Sequence, residues 1–226
     1  MRMKIETINR AEAFRYMGYK GGEIPENIDA LGTECEQSLL AKITPKFVWR
    51  VFDIEKTSEC VEIKNTALVF KGKNIAAHLR GCEKCVLLAA TLGAGADGVI
   101  RAYEATAMEK AVIADSLASA AIEQVCNAAE QEIQSQLAGF NFTWRYSPGY
   151  GDFPLDIQGE FLKTLDAGKR IGLSVSESLI LTPRKSVTAV MGVSEHEIAK
   201  GRRGCGCCNL KGQCEYRKRG SHCGWE

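Results

Sequence analysis

A chain of 226 residues with 45% hydrophobic and 25% charged residues can bury a sizeable core, and its formal net charge of +1 gives no basis for a nucleic-acid partner. No apolar run reaches bilayer length, and the first residues lack the apolar stretch of a secretion signal, so a cytoplasmic protein without membrane contact is expected. In that compartment ten cysteines argue against a disulfide framework and towards buried thiols, metal ligation or redox chemistry.

Residues 8–19 predict a first helix with Ala11, Phe14 and Met17 on one side, broken by Gly21, Gly22 and Pro25. From about 27 to 43, Ile28, Leu31, Cys35, Leu39 and Ile43 recur at helical spacing, which makes Cys35 a core thiol. Beyond Pro45, the aromatic and β-branched run 46–52 reads as a strand. Shorter strands around 59–64 and 67–70 continue it as an antiparallel meander, with Asn65-Thr66 as the turn. A short helix at 74–79 follows, and the continuous apolar run from Cys85 to Leu92 predicts a strand buried on both faces. Cys82 and Cys85 have metal or redox spacing, but without a second pair they read as plain core and turn thiols. The glycines of 93–97 lack both the Gly-Lys-Ser/Thr ending of a phosphate loop and the full dinucleotide fingerprint, so they read as a small-residue turn.

Residues 97 to about 137 are alanine-rich and give the strongest helix signal in the chain, with a break expected near Thr106. Ile113, Leu117, Ala120, Ala121, Val125 and Ala128 form one apolar face, while Asp115 and Glu123 read as solvated charges. Phe140, Phe142 and Trp144 then predict a strand that delivers Arg145 to the mouth of a tight turn built on Pro148 and Gly149. Helix 156–170 follows, and 175–183 and 186–193 read as two antiparallel strands joined by a hairpin loop at 183–185.

The chain divides on composition into a body, 1–197, and a basic, cysteine-rich tail, 198–226. Half of the ten cysteines (Cys205, Cys207, Cys208, Cys214 and Cys223) fall in that tail among Arg202, Arg203, Lys211, Arg217, Lys218 and Arg219. Cations that close lower thiol pKa values and favour ligation or redox reactivity. The spacing matches neither a zinc ribbon nor a ferredoxin run. An iron–sulfur or zinc site, in which His222 can replace a thiol, redox-active thiols, and an unstructured tail all stay open.

Two motifs carry a resemblance to the reactivation domain of cobalamin-dependent methionine synthase, in its stand-alone form. Arg145-x-x-Pro148-Gly149-Tyr150 followed by Pro154 resembles the family's Arg-x-x-Pro-Gly-Tyr turn. Ser176-Glu177-Ser178, Pro183 and Ser186-Val187-Thr188 resemble its Thr-Glu-Ser…Pro…Ser-Val-Ser segment. The likeness spans about 110–195. It implies a C-shaped α+β domain with a central twisted antiparallel sheet flanked by helices, holding S-adenosylmethionine in its concave face. It also implies a role in repairing a methionine synthase whose cobalamin has been oxidised. The ligand-facing residues it implies are Arg145, Ser147, Pro148, Gly149, Tyr150 and Glu177. Arg145 suits the methionyl carboxylate, and Tyr150 suits the sulfonium. The implied partners are the cobalamin-binding domain of a methionine synthase lacking its own activation domain, and an electron donor protein. The chain departs from the pattern in having no N-terminal Asp-Trp segment, Ser119 in place of a ligand-side glutamate (with Glu123 one turn on), and Phe153 before Pro154. The competing readings are a metal-bearing electron-transfer module for a corrinoid protein and a docking scaffold, neither binding S-adenosylmethionine.

Overall fold

The computed structural model describes residues 1–19, 24–57 and 59–198, together with Gly212, Gln213 and Lys218. Six strands make one antiparallel sheet in the order β3 (Val69–Lys71), β2 (Cys60–Ile63), β1 (Lys46–Lys56), β4 (Lys84–Thr91), β8 (Ser186–Ser194) and β5 (Asn141–Phe142). The buried apolar run ending at Leu92 is the centre of this sheet. β4 is paired on both sides, from Lys46↔Thr91 to Asp53↔Lys84 with β1 and from Lys84↔Val193 to Thr91↔Ser186 with β8. A strand whose two faces both meet helices has no polar side, which is why its sequence does not alternate.

The two faces are nevertheless distinct. Val86, Leu88 and Ala90 of β4 point into one core with Phe47, Met191 and Val193, while Cys85, Leu87 and Ala89 point into the other with Val48 and Val190. The first core is closed by α1 (Arg10–Tyr16), α2 (Glu26–Leu40), α4 (Ala94–Thr106) and α5 (Met108–Gln136). Along α5, Ala114, Ala118, Ala121 and Ala129 are buried between larger residues such as Leu117 and Ile133, and the small side chains at those positions let a 29-residue helix lie close against its neighbours. The break predicted near Thr106 is present, at Ala107 with φ −158° and ψ 88°. The second core is closed by α3 (Lys73–His78), α6 (Gln158–Thr164), α7 (Ala167–Ile171) and the Tyr146–Phe153 turn.

Two expectations are corrected. The helix expected over 156–170 is two short helices separated by Asp166, which takes the left-handed conformation at φ 53°. An aspartate tolerates that region better than most residues, and the kink allows Phe161, Leu162, Leu165, Ala167 and Ile171 all to be buried. The segment 175–183 does not pair with 186–193. It folds on itself as β6 (Ser174–Val175) against β7 (Leu181–Thr182), a separate two-stranded sheet. Ser176 closes this hairpin by accepting a hydrogen bond from the Ile180 amide at 3.1 Å, and both edges of β8 are already taken by β4 and β5. Cys205, Cys207, Cys208, Cys214, Cys223 and His222 lie outside the described residues.

Gly192 marks a close approach between the sheet and its cover. A Cβ there would collide with Cys82 Sγ and stand 3.0 Å from both Leu79 Cδ2 and Thr143 Cγ2. Overpacking of this kind costs about 1–3 kcal/mol. Gly192→Ala is expected to lower stability by that amount in urea unfolding, and adding Cys82→Ala should recover part of it; a neutral single substitution contradicts this packing.

Candidate functional site

The site begins with a register change at the edge of the sheet. Asn141 pairs with Ser194 and Phe142 with Val193, and the Thr143 amide continues the ladder by donating to the Gly192 carbonyl at 3.0 Å. Pairing resumes with Tyr146 opposite Val190, where the amides and carbonyls exchange bonds of 2.9 and 2.8 Å. Two residues, Trp144 and Arg145, therefore face the single residue Met191, which is a β-bulge. The extra residue inverts the alternation. Phe142 packs on the α5 side, Trp144 and Tyr146 both belong to the opposite core, and Arg145 reaches α5. In an unbulged strand Arg145 would point away from that helix.

The turn that follows is held at both ends. Gly149 (φ 94°) donates to the Phe153 carbonyl at 2.7 Å, and the Phe153 amide returns a bond to the Tyr150 carbonyl at 3.0 Å. The buried Tyr146 hydroxyl also donates to the Tyr150 carbonyl, at 3.1 Å. Gly151 (φ 58°) leaves no room for a side chain, because a Cβ would collide with Asn74 Nδ2 and come within 2.8 Å of the Tyr146 hydroxyl. Asp152 accepts from the amides of Lys73 at 2.8 Å and Asn74 at 3.0 Å, capping α3, which has no capping side chain of its own. His78, Trp144, Tyr146, Tyr150 and Phe153 form a run of ring contacts with centroids 4.8–6.1 Å apart.

Arg145 is only 19% exposed and lies against a stripe of α5 formed by Glu123, Asn127 and Glu130. Its Nη2 donates to Glu123 Oε2 at 3.2 Å and to Asn127 Oδ1 at 2.8 Å. Its Nη1 is ion-paired with Glu130 Oε2 at 3.2 Å, yet this buried nitrogen has no hydrogen-bond acceptor among the described residues. A part-buried guanidinium with an unused donor fits an anionic ligand group. Tyr150 is 55% exposed beside this cluster, and its phenol titrates above the usual range, first through desolvation and then through the negative charge of Glu123, with Arg145 opposing.

Arg145, Ser147, Pro148, Gly149 and Tyr150 thus share one turn, with Ser147 half-buried and Pro148 buried. Glu177 is exposed at the tip of the β6–β7 hairpin and makes no hydrogen bond or ion pair among the described residues. Asp115 and Glu123 keep about half of their side chains in solvent, as the reading of solvated charges expects, and each is also ion-paired. Asp115 Oδ1 meets Lys185 Nζ at 2.8 Å, and that lysine also donates to Ser119 Oγ at 2.9 Å. Sequence reasoning missed Lys185, Asn127, Glu130 and the cap from Asp152. Only the i, i+4, i+7 spacing of Glu123, Asn127 and Glu130 signalled a common face. Cys82 and Cys85 are fully buried core thiols, as expected. Burial pushes the Cys82 thiol up to about 11 and raises that of Cys85 further, so neither is a poised nucleophile. Among the described residues no group of three or more His, Cys, Asp or Glu side chains is arranged to hold a metal, and no helix is long and apolar enough to cross a membrane.

No family model matches this chain, and no curated protein matches it. Among solved structures, a crystal structure of the MetH reactivation domain bound to AdoHcy is similar over 98% of this chain and 85% of that one, with a TM-score of 0.65 and 13% identity. The likeness is one of fold. It agrees with the α+β architecture and antiparallel sheet read from the sequence.

The anchoring of the turn is open to direct measurement. Asp152→Ala removes the cap from α3 and should cost about 1 kcal/mol in urea unfolding, with faster amide exchange at Lys73 and Asn74. Unchanged exchange at those two amides would show that the carboxylate does not hold the turn to α3.

Proposed function

We propose that this protein binds S-adenosylmethionine at the Arg145–Tyr150 turn and serves a cobalamin-dependent methionine synthase as an accessory, supporting its reductive methylation. The observation that carries the reading is the bulge-directed Arg145, with an unused buried donor, on a fold shared with a reactivation domain. Arg145 would take the methionyl carboxylate, the Ser147–Pro148–Gly149 backbone would line the ligand, and Tyr150 would offer its ring to the sulfonium. Glu177 belongs to the proposed site on its sequence motif alone.

The chemistry the ligand supplies is a methyl group. The S–CH3 bond breaks and a Co–C bond forms, the sulfonium leaves as a neutral thioether, and an electron donor protein supplies the one electron that cob(II)alamin requires. The cobalamin is held by the partner, a methionine synthase lacking its own activation domain. The protein need perform no acid–base step; positioning is its contribution. Cys205, Cys207, Cys208, Cys214 and Cys223 enter the proposal as candidate ligands of an iron–sulfur cluster or zinc, on their spacing and basic surroundings in the sequence. A body at 1–197 carrying the site and a separate tail at 198–226 are part of the same reading, as is a cytoplasmic location.

Titration calorimetry with S-adenosylmethionine tests the proposal. Wild type should bind with 1:1 stoichiometry, and Arg145→Ala should weaken binding at least tenfold, the worth of one charge-assisted contact. No binding by wild type, or equal binding by Arg145→Ala, overturns it.

A further inference from the structure

Arg145 meets two carboxylates, and they are not equivalent. The Glu130 side chain is 25% exposed, whereas that of Glu123 is 46% exposed and faces the turn. The bond from Nη2 to Glu123 is long at 3.2 Å, and the same nitrogen has a shorter bond of 2.8 Å to Asn127. Losing Glu123 therefore leaves Nη2 with an acceptor and the guanidinium with a counter-ion in Glu130. Among the described residues Nη1 meanwhile has no hydrogen-bond acceptor to give up. Around Glu123 stand Tyr16 of α1, Cys126, Asn127 and Glu130 of α5, Arg145 and Tyr150, and Arg145 is its ion-pair partner among the described residues.

We propose that Glu123 determines the specificity of this site by exchanging partners: it occupies Arg145 in the ligand-free protein as an internal stand-in for a ligand carboxylate, and receives the ligand's α-ammonium once displaced. The inference rests on the proposed binding of S-adenosylmethionine at the turn. An incoming carboxylate takes Nη1 and the place of Glu123 on Nη2. That leaves a half-exposed carboxylate without its cation, beside a second anion, which is unfavourable. An α-amino acid group cures this, because it carries its ammonium one carbon from its carboxylate. A ligand with the carboxylate alone presents Arg145 with the same contact but places two anions side by side. The site then selects α-amino acid ligands over simple carboxylates through one residue.

The test is calorimetry with S-adenosylmethionine and with its analogue lacking the α-amino group, on wild type, Glu123→Gln and Glu130→Gln. Wild type should prefer S-adenosylmethionine about tenfold or more, the discrimination of one charge-assisted bond. Glu123→Gln should remove the preference, weakening S-adenosylmethionine while leaving the analogue bound as well as or better than in wild type. Glu130→Gln should weaken both ligands alike and keep their ratio, because Glu130 only holds the arginine. The exchange is overturned if Glu123→Gln keeps the preference, or if it weakens both ligands equally. Failure of wild type to bind either ligand overturns the proposed function, and this inference with it.

Discussion

One inserted residue in an edge strand decides where the arginine goes. With Trp144 and Arg145 both opposite Met191, the Arg145 side chain falls on the α5 side of the sheet and Tyr146 in the opposite core. The rest of the candidate site depends on that parity. The stripe of Glu123, Asn127 and Glu130 can meet the guanidinium only because the bulge presents it. Tyr150, five residues on, lies beside the same cluster because the turn is fixed through the Tyr146 hydroxyl and the Asp152 cap on α3. A bulge at a sheet edge is a common way to re-aim one side chain without disturbing the strand beside it.

Electrostatics and packing divide the work between the two cores. The α5 side provides a helix poor in large side chains but furnished, along one stripe, with two carboxylates and an amide that hold a cation. The opposite side provides the ring contacts from His78 to Phe153 that fix the backbone of the turn. The exposed end of this arrangement is Tyr150 and Glu123, the two members with freedom to answer a ligand. The less exposed end is Arg145 and Glu130. In the proposed exchange, this gradient is what would let a preformed charge cluster give up one partner while keeping another.

Much of the fold was legible in the residues. The double-sided burial of β4 followed from an apolar run without alternation, and the division of the long alanine-rich segment followed from its weak point near Thr106. The errors share a cause: local pattern does not reveal which edges of a strand are already occupied. Residues 175–183 look like a strand, but β8 has no free edge to offer them, so they close on themselves around Ser176. The left-handed Asp166 likewise depends on burial of residues on both sides of it. Of the site, the turn was readable because Pro148 and Gly149 announce it. The partners of Arg145 were not, because the bulge depends on long-range register and Glu123 lies 22 residues away in sequence.

In the proposed exchange Arg145 leaves Glu123 for a ligand carboxylate. A crystal structure of the protein with S-adenosylmethionine tests it most directly. The methionyl carboxylate should lie on Nη1 and Nη2 of Arg145, with Asn127 and Glu130 still in place and Glu123 turned to the ligand's ammonium. A ligand bound elsewhere, or bound at the turn with the Arg145–Glu123 contact intact, would contradict it.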